Sequence, residues 1–426
     1  MEGAERQASQ SSQPSQVSSE QAKWKQMMDE GIARYMREHP DRFHRRVRRG
    51  IPPEFRWRVW KAAVRLDDAW PSVDYHSLCE KETQWTPSIV MDVTRTFPDV
   101  KAFDDVQQQR LKRVLNAYAS CNPEIGYCQG MNYVAGLLLL VSHNEEESFF
   151  VFTQLMEHED FGLAGFYVGK SGLSTWHRSS TWRGESHGEP GRLPLLRRYL
   201  RACESLVADT LPELREHFIK QSVQPAVYLH QWFLTLFINC FPISMVMILW
   251  DVIMCEGLPV ILRIAVSILQ VLKDSLLSME FEDIIKFFKM MKTYHDEDGE
   301  LGAVKIGQLL MKHTEHVHIP DDTLQYLRPS NVEDDGNLDS DESWENEHSP
   351  WYYRWVSGMW PWGKKKPFAS TSWSRSAPQL GEASPRTRRE GLASGASAPN
   401  VAGAPTVEDD HPEENESFFA RGWEFL

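Results

Sequence analysis

A run of twenty residues without a charge, 231–250, constrains this chain more than any other stretch of its sequence. A run of that length meets the criterion for a membrane-spanning helix. However, Asn239 and Pro242 lie in its middle, and the residues before it, LPELREHFIKQ, are strongly polar. The Phe241-Pro242 pair predicts a break into two shorter helices. Two short apolar helices are typical of the buried core of a large helical domain, and a membrane span is the alternative.

Apolar residues recur at helical spacing along most of the chain. Leu111, Leu115 and Tyr118, for example, share one helix face. Asn144 is placed to cap a later helix, with Glu147 at the third position as in a capping box. Alternating β-branched runs bounded by hairpin turns are scarce. The sequence therefore predicts an all-α architecture.

Composition divides the chain into three parts. Residues 1–20 are polar, whereas 21–318 contain the helical pattern. Residues 332–347 hold eight carboxylates and no Lys or Arg, and Ser, Pro, Gly and Ala dominate 369–404. Such segments bury too little apolar surface to offset their ordering entropy. We therefore expect a disordered leader, one helical domain, and a mostly disordered tail over 319–426.

Charge and cysteine content exclude several classes of protein. The 426 residues include 46 Lys+Arg and 60 Asp+Glu, a formal net charge of −14, which argues against a general nucleic-acid binder. The six cysteines form no C-x-x-C pair, so neither a zinc ribbon nor a thiol redox site is indicated. His313, His316 and His318 lack matched acidic or Cys partners in sequence, and we expect no metal site. Unpaired cysteines and a polar amino terminus favour a cytoplasmic location.

Two stretches have the composition of surfaces that attract acidic partners. Residues 42–49 contain five arginines, and 350–366 are rich in Trp and Tyr and end in three lysines. Basic runs are usually solvated helix faces, whereas aromatic residues beside lysines suit a membrane interface. Two interpretations stay open: solvated or partner-binding segments, or peripheral contact with an endomembrane.

Two short stretches combine charged and apolar residues at regular spacing. In the first, Arg56 and Trp60 share one helix face at i, i+4. In the second, Ile89, Asp92 and Arg95 lie three apart, and the proline that follows places the arginine near a helix–loop boundary. Taken singly, each is a weak signal, because most arginines in such settings are surface residues.

A third stretch, GYCQGMN, occupies residues 126–132. Gly126 and Gly130 bracket Tyr127 and Gln129 in it. Two glycines this close allow the backbone to present one side chain at an unusual angle.

Together the three stretches resemble the signature motifs of TBC domains, found in GTPase-activating proteins for Rab-type small GTPases. The forms R-x-x-x-W, I-x-x-D-x-x-R and Y-x-Q-G stand here as Arg56…Trp60, Ile89…Asp92…Arg95 and Tyr127…Gln129-Gly130. The resemblance covers roughly residues 21–318 and implies a multi-helix, all-α TBC domain. It also implies a role in vesicle trafficking, with the protein acting on a partner's GTPase reaction and hydrolysing no nucleotide itself.

The same resemblance implies a role for each motif residue. Arg95 matches the arginine finger and Gln129 the glutamine finger, both supplied in trans. Asp92 is expected to fix the loop by accepting hydrogen bonds, and Tyr127 to anchor the glutamine turn by packing. Arg56 and Trp60 are expected to hold the fold. The remaining supporting positions are Ile89 and Gly130. Mg²⁺ and GTP are expected to arrive with a GTP-bound Rab, because the chain has no G-x-x-x-x-G-K-[ST] motif of its own.

Residues 174–192 depart from the family pattern as an extra polar stretch. A solvent-exposed insertion, which loops tolerate at low cost, and an altered exon or gene-model error are both open. If the stretch displaces the helix expected over 195–206, docking of a GTPase becomes doubtful. A catalytically silent GTPase-binding or scaffold module is therefore the alternative to activation.

Overall fold

A computed structural model describes residues 14–66, 73–167, 194–293 and 300–329. Within these ranges every regular element is a helix, which confirms the all-α expectation. The predicted insertion at 174–192 and almost all of the predicted tail lie outside the described residues.

The described residues of the amino-terminal part of the domain form nine α-helices. They are α1 (Pro14–Asp29), α2 (Ile32–Glu38), α3 (Pro40–Val47), α4 (Pro53–Ala63), α5 (Tyr75–Leu78), α6 (Thr86–Val93), α7 (Asp105–Cys121), α8 (Met131–Ser142) and α9 (Glu145–Glu157). Helices α7, α8 and α9 pack against one another, and α6 packs against α7 and α8. This arrangement brings the end of α6 and the start of α8 to the same part of the domain.

The carboxy-terminal part begins with a 3₁₀ turn at Leu163–Phe166. The α-helices that follow are α10 (Pro194–Thr210), α11 (Pro212–Lys220), α12 (Ala226–Leu234), α13 (Ile243–Glu256), α14 (Val260–Val271), α15 (Lys273–Leu277), α16 (Phe281–Met290), α17 (Glu300–Thr314) and α18 (Asp321–Tyr326), with a second 3₁₀ turn at Met291–Thr293. Helix α13 packs against α3, α4, α14 and α17, and so joins the two parts.

The uncharged run 231–250 forms the core that the sequence predicted. It contributes the end of α12 and the first half of α13, with Trp232, Phe233, Leu249 and Trp250 almost fully buried. The indole Nε1 of Trp250 donates to the carbonyl oxygen of Leu236 across 3.1 Å, so even its polar atom is satisfied inside the domain. Among the described residues, no helix combines the length and apolar character that crossing a bilayer requires.

Asn144 caps α9 as predicted, but the capping box is incomplete. Its side-chain oxygen accepts a hydrogen bond from the backbone N–H of Glu147 at 3.1 Å. The Glu147 carboxylate accepts hydrogen bonds from Trp57 Nε1 at 2.5 Å and Lys61 Nζ at 2.8 Å on α4. A carboxylate that the sequence assigned to local capping thus ties α9 to α4.

Two boundaries differ from the sequence-based expectation. Helix α1 begins at Pro14, inside the predicted leader 1–20. The ordered domain also continues past residue 318. Ile319 and Leu327 are buried, and Arg198 Nη1 donates to the Tyr326 carbonyl oxygen across 2.7 Å. The sequence did not predict this extension, because residues 319–329 contain few apolar positions and the acidic run 332–347 follows soon after them.

The helix expected over 195–206 is present as part of α10. Leu195, Leu196 and Leu206 are all buried, and α10 packs against α14. The helix that precedes L-P-E-L therefore occupies its place in the core.

Candidate functional site

Arg95 lies in the turn that follows α6. Its backbone N–H donates to the Asp92 carbonyl oxygen at 3.3 Å, so the chain keeps a helical turn just beyond Val93. The arginine side chain is 48% exposed, and its Nη2 forms an ion pair with Asp92 Oδ1 at 2.5 Å. The ion pair restrains the guanidinium at one edge while the rest of the group faces solvent.

Asp92 connects this turn to the GYCQG stretch. The carboxylate is buried, and its second oxygen, Oδ2, accepts a hydrogen bond from the Tyr127 hydroxyl at 2.5 Å. Burial, with the Asp92 charge as the next cause, raises the pKa of Tyr127 well above its ordinary value. The hydroxyl therefore stays protonated and keeps donating at neutral pH. Tyr127 acts by this hydrogen bond as well as by the packing that the sequence suggested.

Gln129 lies in a turn shaped by two glycines. Gly126 has φ 60°, and a Cβ there would fall 2.1 Å from the indole carbon Cε2 of Trp85. Gly130 has φ 113°, and a Cβ there would fall 2.9 Å from the carbonyl oxygen of Leu234. Both positions therefore require glycine.

Gly130 also forms the N-cap of α8, which places Gln129 just before the start of that helix. The Gln129 side chain is half-buried. Its amide makes no hydrogen bond to another described residue, which leaves both its donor and its acceptor available to a visiting molecule.

A second buried link joins the two segments, through residues to which the sequence assigned no role. The Thr96 hydroxyl donates to the Asp92 carbonyl oxygen at 2.7 Å and accepts from Asn132 Nδ2 at 2.8 Å. Asn132 Oδ1 accepts from the backbone N–H of Gly130 at 3.0 Å. Thr96 and Asn132 are both almost fully buried. Their presence within the motif stretches was the only signal available before the structure.

Phe97 anchors the loop after Arg95. It is a non-glycine residue at φ 52°, a left-handed conformation that an aromatic residue rarely adopts. Its ring makes edge contacts with Phe103 and Tyr133, with centroids 5.3 and 5.9 Å apart. Gly136 leaves room for it, since a Cβ on Gly136 would lie 3.0 Å from the ring. The packing of the ring offsets the backbone strain and holds the loop in place.

Arg56 and Trp60 lie together at a different buried carboxylate, as their expected role in the fold requires. Asp251 Oδ1 accepts from Arg56 Nε at 2.9 Å and from Trp60 Nε1 at 3.0 Å, and its Oδ2 accepts from the Ile51 N–H at 2.8 Å. Asp251 is fully buried on α13. This cluster connects α4 to α13 and does not contribute to the Asp92 site. Ile89, fully buried on α6, is a core residue.

Cys128 lies inside the GYCQG stretch, next to Gln129. Burial, with the Asp92 charge second, raises the pKa of Cys128 to about 11, so its thiol is protonated at neutral pH. The six cysteines all lie in the described ranges and are unpaired. No group of three or more His, Cys, Asp or Glu side chains in the described parts of the chain has the placement to hold a metal ion.

Sequence comparisons match both parts of the helical domain. Residues 53–180 match the family described as Rab-GTPase-TBC domain, and residues 192–318 match the RabGAP TBC domain. The human ecotropic viral integration site 5 protein homolog is 30% identical over 259 residues, which are 59% of this chain and 28% of that protein. The GTPase-activating protein GYP5 of Saccharomyces cerevisiae is 26% identical over 266 residues, 62% of this chain and 26% of that protein. The chain thus spans about a quarter of the length of these relatives.

Solved structures give the same fold. The crystal structure of the Chlamydomonas flagellar RabGAP TBC domain has a TM-score of 0.50 at 22% identity, over 71% of this chain and 95% of that one. The Ypt/Rab-GAP domain of Gyp1p also has a TM-score of 0.50, at 17% identity, over 64% and 90% of the two chains. At such identities the likeness is one of fold alone. With the family matches on both parts of the domain, it leads to one assignment: the chain belongs to the RabGAP-TBC domain family.

Proposed function

We propose that this domain is a GTPase-activating protein for a Rab-family small GTPase, with Arg95 and Gln129 as fingers supplied in trans. Family membership supports the class of activity. The observation that most supports the finger assignment is the Asp92 carboxylate, which binds Arg95 through Oδ1 and Tyr127 through Oδ2. One buried group thereby contacts both the exposed arginine and the tyrosine two positions before Gln129.

Arginine suits stabilisation of a phosphoryl-transfer transition state. Its planar guanidinium is always charged and donates several hydrogen bonds at once. In GTPases an inserted arginine accelerates hydrolysis by about 10³–10⁵-fold, which corresponds to roughly 4–7 kcal/mol of barrier. Arg95 remains 48% exposed while it contacts Asp92, so it is available to a docked partner.

Gln129 supplies the second function that slow GTPases lack. A glutamine amide orients the attacking water by donating and accepting hydrogen bonds. Its place beside Gly130, whose N–H is held by Asn132, restrains the backbone from which the amide extends. The glutamine then replaces that of the GTPase itself.

The partner's contribution completes the site. We propose that the Rab docks in its GTP-bound state and brings GTP and Mg²⁺ with it, so that this chain needs no cofactor of its own. We also propose a cytoplasmic protein that visits endomembranes peripherally, with the arginines of residues 42–49 as one contact. Arg42 and Arg45 are exposed there, whereas Arg48 is paired with Glu256.

Single-turnover GTP hydrolysis across a panel of Rab proteins tests this proposal. The native protein should accelerate at least one Rab, and Arg95→Lys, which keeps the charge but loses the planar fork, should lower the stimulated rate by about a hundredfold or more. Gln129→Ala should be similarly damaging. Arg58→Lys, at an exposed arginine on α4, is the matched control and should keep native activity.

The alternative function has a distinct result. If the native protein binds GTP-loaded Rab without accelerating any member of the panel, the domain is a silent binding or scaffold module. Full stimulation by the Arg95 variants would refute the finger assignment while leaving the activity in place.

A further inference from the structure

Helix α6 presents apolar side chains on both of its faces. Ile89 and Val93 are buried against the domain. On the opposite side, Val90 is 42% exposed and Met91 is 67% exposed. A solvent-facing side of a short helix ordinarily holds polar residues. Two adjacent large apolar side chains on that side need a reason beyond the stability of the isolated domain.

Of this exposed pair, Met91 lies about one helical turn before Arg95 in the chain. Thr94 Oγ1 donates to the Met91 carbonyl oxygen at 2.9 Å, and the Arg95 N–H donates to the Asp92 carbonyl oxygen at 3.3 Å. The helical winding therefore continues to Arg95, which places Met91 one turn before it on the same side of the helix.

We propose that Val90 and Met91 form an apolar contact surface for the same GTPase that receives Arg95. This inference rests on the proposed function. An arginine side chain reaches only a few ångströms, so a partner that admits Arg95 to its nucleotide site must also cover the side chain one turn away. The partner therefore presents an apolar patch at the rim of its nucleotide site.

The apolar surface and Arg95 should affect different kinetic constants of stimulated hydrolysis. Burial of apolar area is non-directional and is lost when the complex dissociates, so it contributes to affinity. Arg95, in contrast, acts on charge that develops only in the transition state. Changes at Met91 should therefore raise KM, whereas changes at Arg95 should lower kcat.

The test is stimulated GTP hydrolysis at varied concentrations of the GTP-loaded Rab that the native protein accelerates most. Met91→Glu should raise KM by about tenfold or more, with kcat within about twofold of native. The complex would lose the burial of the methionine side chain and would have to desolvate a carboxylate in its place. Met91→Leu should have a KM much closer to native. Ile219→Glu is the matched control, because Ile219 is 61% exposed on α11 and should give a native KM.

Each outcome decides the proposal. A native KM for Met91→Glu, or an equal rise of KM in Ile219→Glu, would overturn the surface even where Arg95→Ala abolishes stimulation. If no Rab is accelerated, binding of Rab loaded with a non-hydrolysable GTP analogue replaces the kinetic assay. Binding by the native protein that Met91→Glu weakens would support the surface without the catalytic proposal, and equal binding by the two would refute it.

Discussion

The Tyr127 hydroxyl donates to Asp92 Oδ2 at 2.5 Å and so joins two segments that lie 35 positions apart in the chain. The other oxygen of the same carboxylate binds Arg95. Because Asp92 and Tyr127 are both buried, the hydrogen bond between them is not weakened by bulk water, whereas the ion pair with the half-exposed Arg95 is partly screened by solvent. One carboxylate thus sets the position of the arginine-bearing turn relative to the glutamine loop.

Replacing Tyr127 by Phe keeps the ring and removes the hydroxyl donor. A buried carboxylate oxygen is then left unsatisfied, and we expect the free energy of unfolding to fall by about 1.5–3 kcal/mol. Stimulated hydrolysis should fall by about tenfold, because Asp92 no longer holds the two segments together. Chemical denaturation and single-turnover hydrolysis measure the two effects.

The control for this substitution is Tyr133→Phe. Tyr133 is also buried, but its hydroxyl makes no hydrogen bond to another described residue. This variant should keep native stability within about 0.5 kcal/mol. Equal losses in the two variants would show that loss of the hydroxyl, and not of its bond to Asp92, is responsible.

Thr96 offers a sharper test of the same coupling. Thr96→Val preserves the shape of the side chain but removes the hydroxyl that bridges the Asp92 carbonyl oxygen and Asn132. We expect kcat to fall about tenfold with little change in KM, and a loss of about 1–3 kcal/mol of stability from the unsatisfied Asn132 amide. Thr96→Ser should restore both values. A serine variant no better than valine would mean that the methyl contact matters more than the hydroxyl.

Local sequence patterns predicted much of this fold for a clear reason. The break at Pro242 and the cap at Asn144 depend on neighbouring residues only, so spacing and residue type suffice to find them. The partner of Arg56 is Asp251, 195 positions away, and no local pattern encodes that pairing.

The site divides in the same way. Arg95 and Gln129 were predicted through motif resemblance and stay predictions, while the Thr96–Asn132 link required tertiary structure. The left-handed conformation of Phe97 also could not be predicted. It is stabilised by the rings of Tyr133 on α8 and Phe103 in the loop before α7, not by the backbone preference of phenylalanine.

Arg56→Ala should destabilise the fold by about 3–5 kcal/mol at neutral pH, because it leaves the Asp251 charge buried without its cation. In the native protein burial raises the pKa of Asp251, while Arg56 opposes that rise. Without Arg56 the folded-state pKa should rise further. A raised carboxyl pKa gives stability that is present at low pH and is lost as pH increases through the folded pKa.

The destabilisation by Arg56→Ala should therefore shrink as the pH falls from 7.5 toward 5. Chemical denaturation of the native protein and the variant at both values measures it. Lys61→Ala, which removes a partly exposed partner of Glu147, is the control and should cost about 1 kcal/mol or less with weak pH dependence. A pH-independent loss in Arg56→Ala would indicate that the lost packing of the side chain dominates.

Cys128 should resist alkylation although it lies next to Gln129. Burial raises the pKa of its thiol to about 11, so at pH 8 the reactive thiolate is scarce in the folded protein. Iodoacetamide at pH 8 should leave stimulated hydrolysis unchanged, and modification should accelerate as the pH approaches 11. Mass spectrometry of the peptide that contains Cys128 reads this out, with urea-unfolded protein as the fully reactive control. Rapid alkylation of the folded protein at pH 8 would contradict the assignment.

Gly130→Ala should disrupt the glutamine turn through collision as well as strain. The alanine Cβ would fall 2.9 Å from the Leu234 carbonyl oxygen, and that oxygen is itself held by the Tyr167 hydroxyl at 2.7 Å. Since neither backbone can withdraw easily, we expect at least about 1–3 kcal/mol of lost stability and loss of most stimulated hydrolysis. Gly31→Ala is the control, because Gly31 has φ 89° but open space around its Cβ. Gly31→Ala should show the cost of backbone strain alone, about 1–2 kcal/mol of stability, with native kcat. If Gly130→Ala and Gly31→Ala change stability and kcat equally, the Leu234 contact has no specific role.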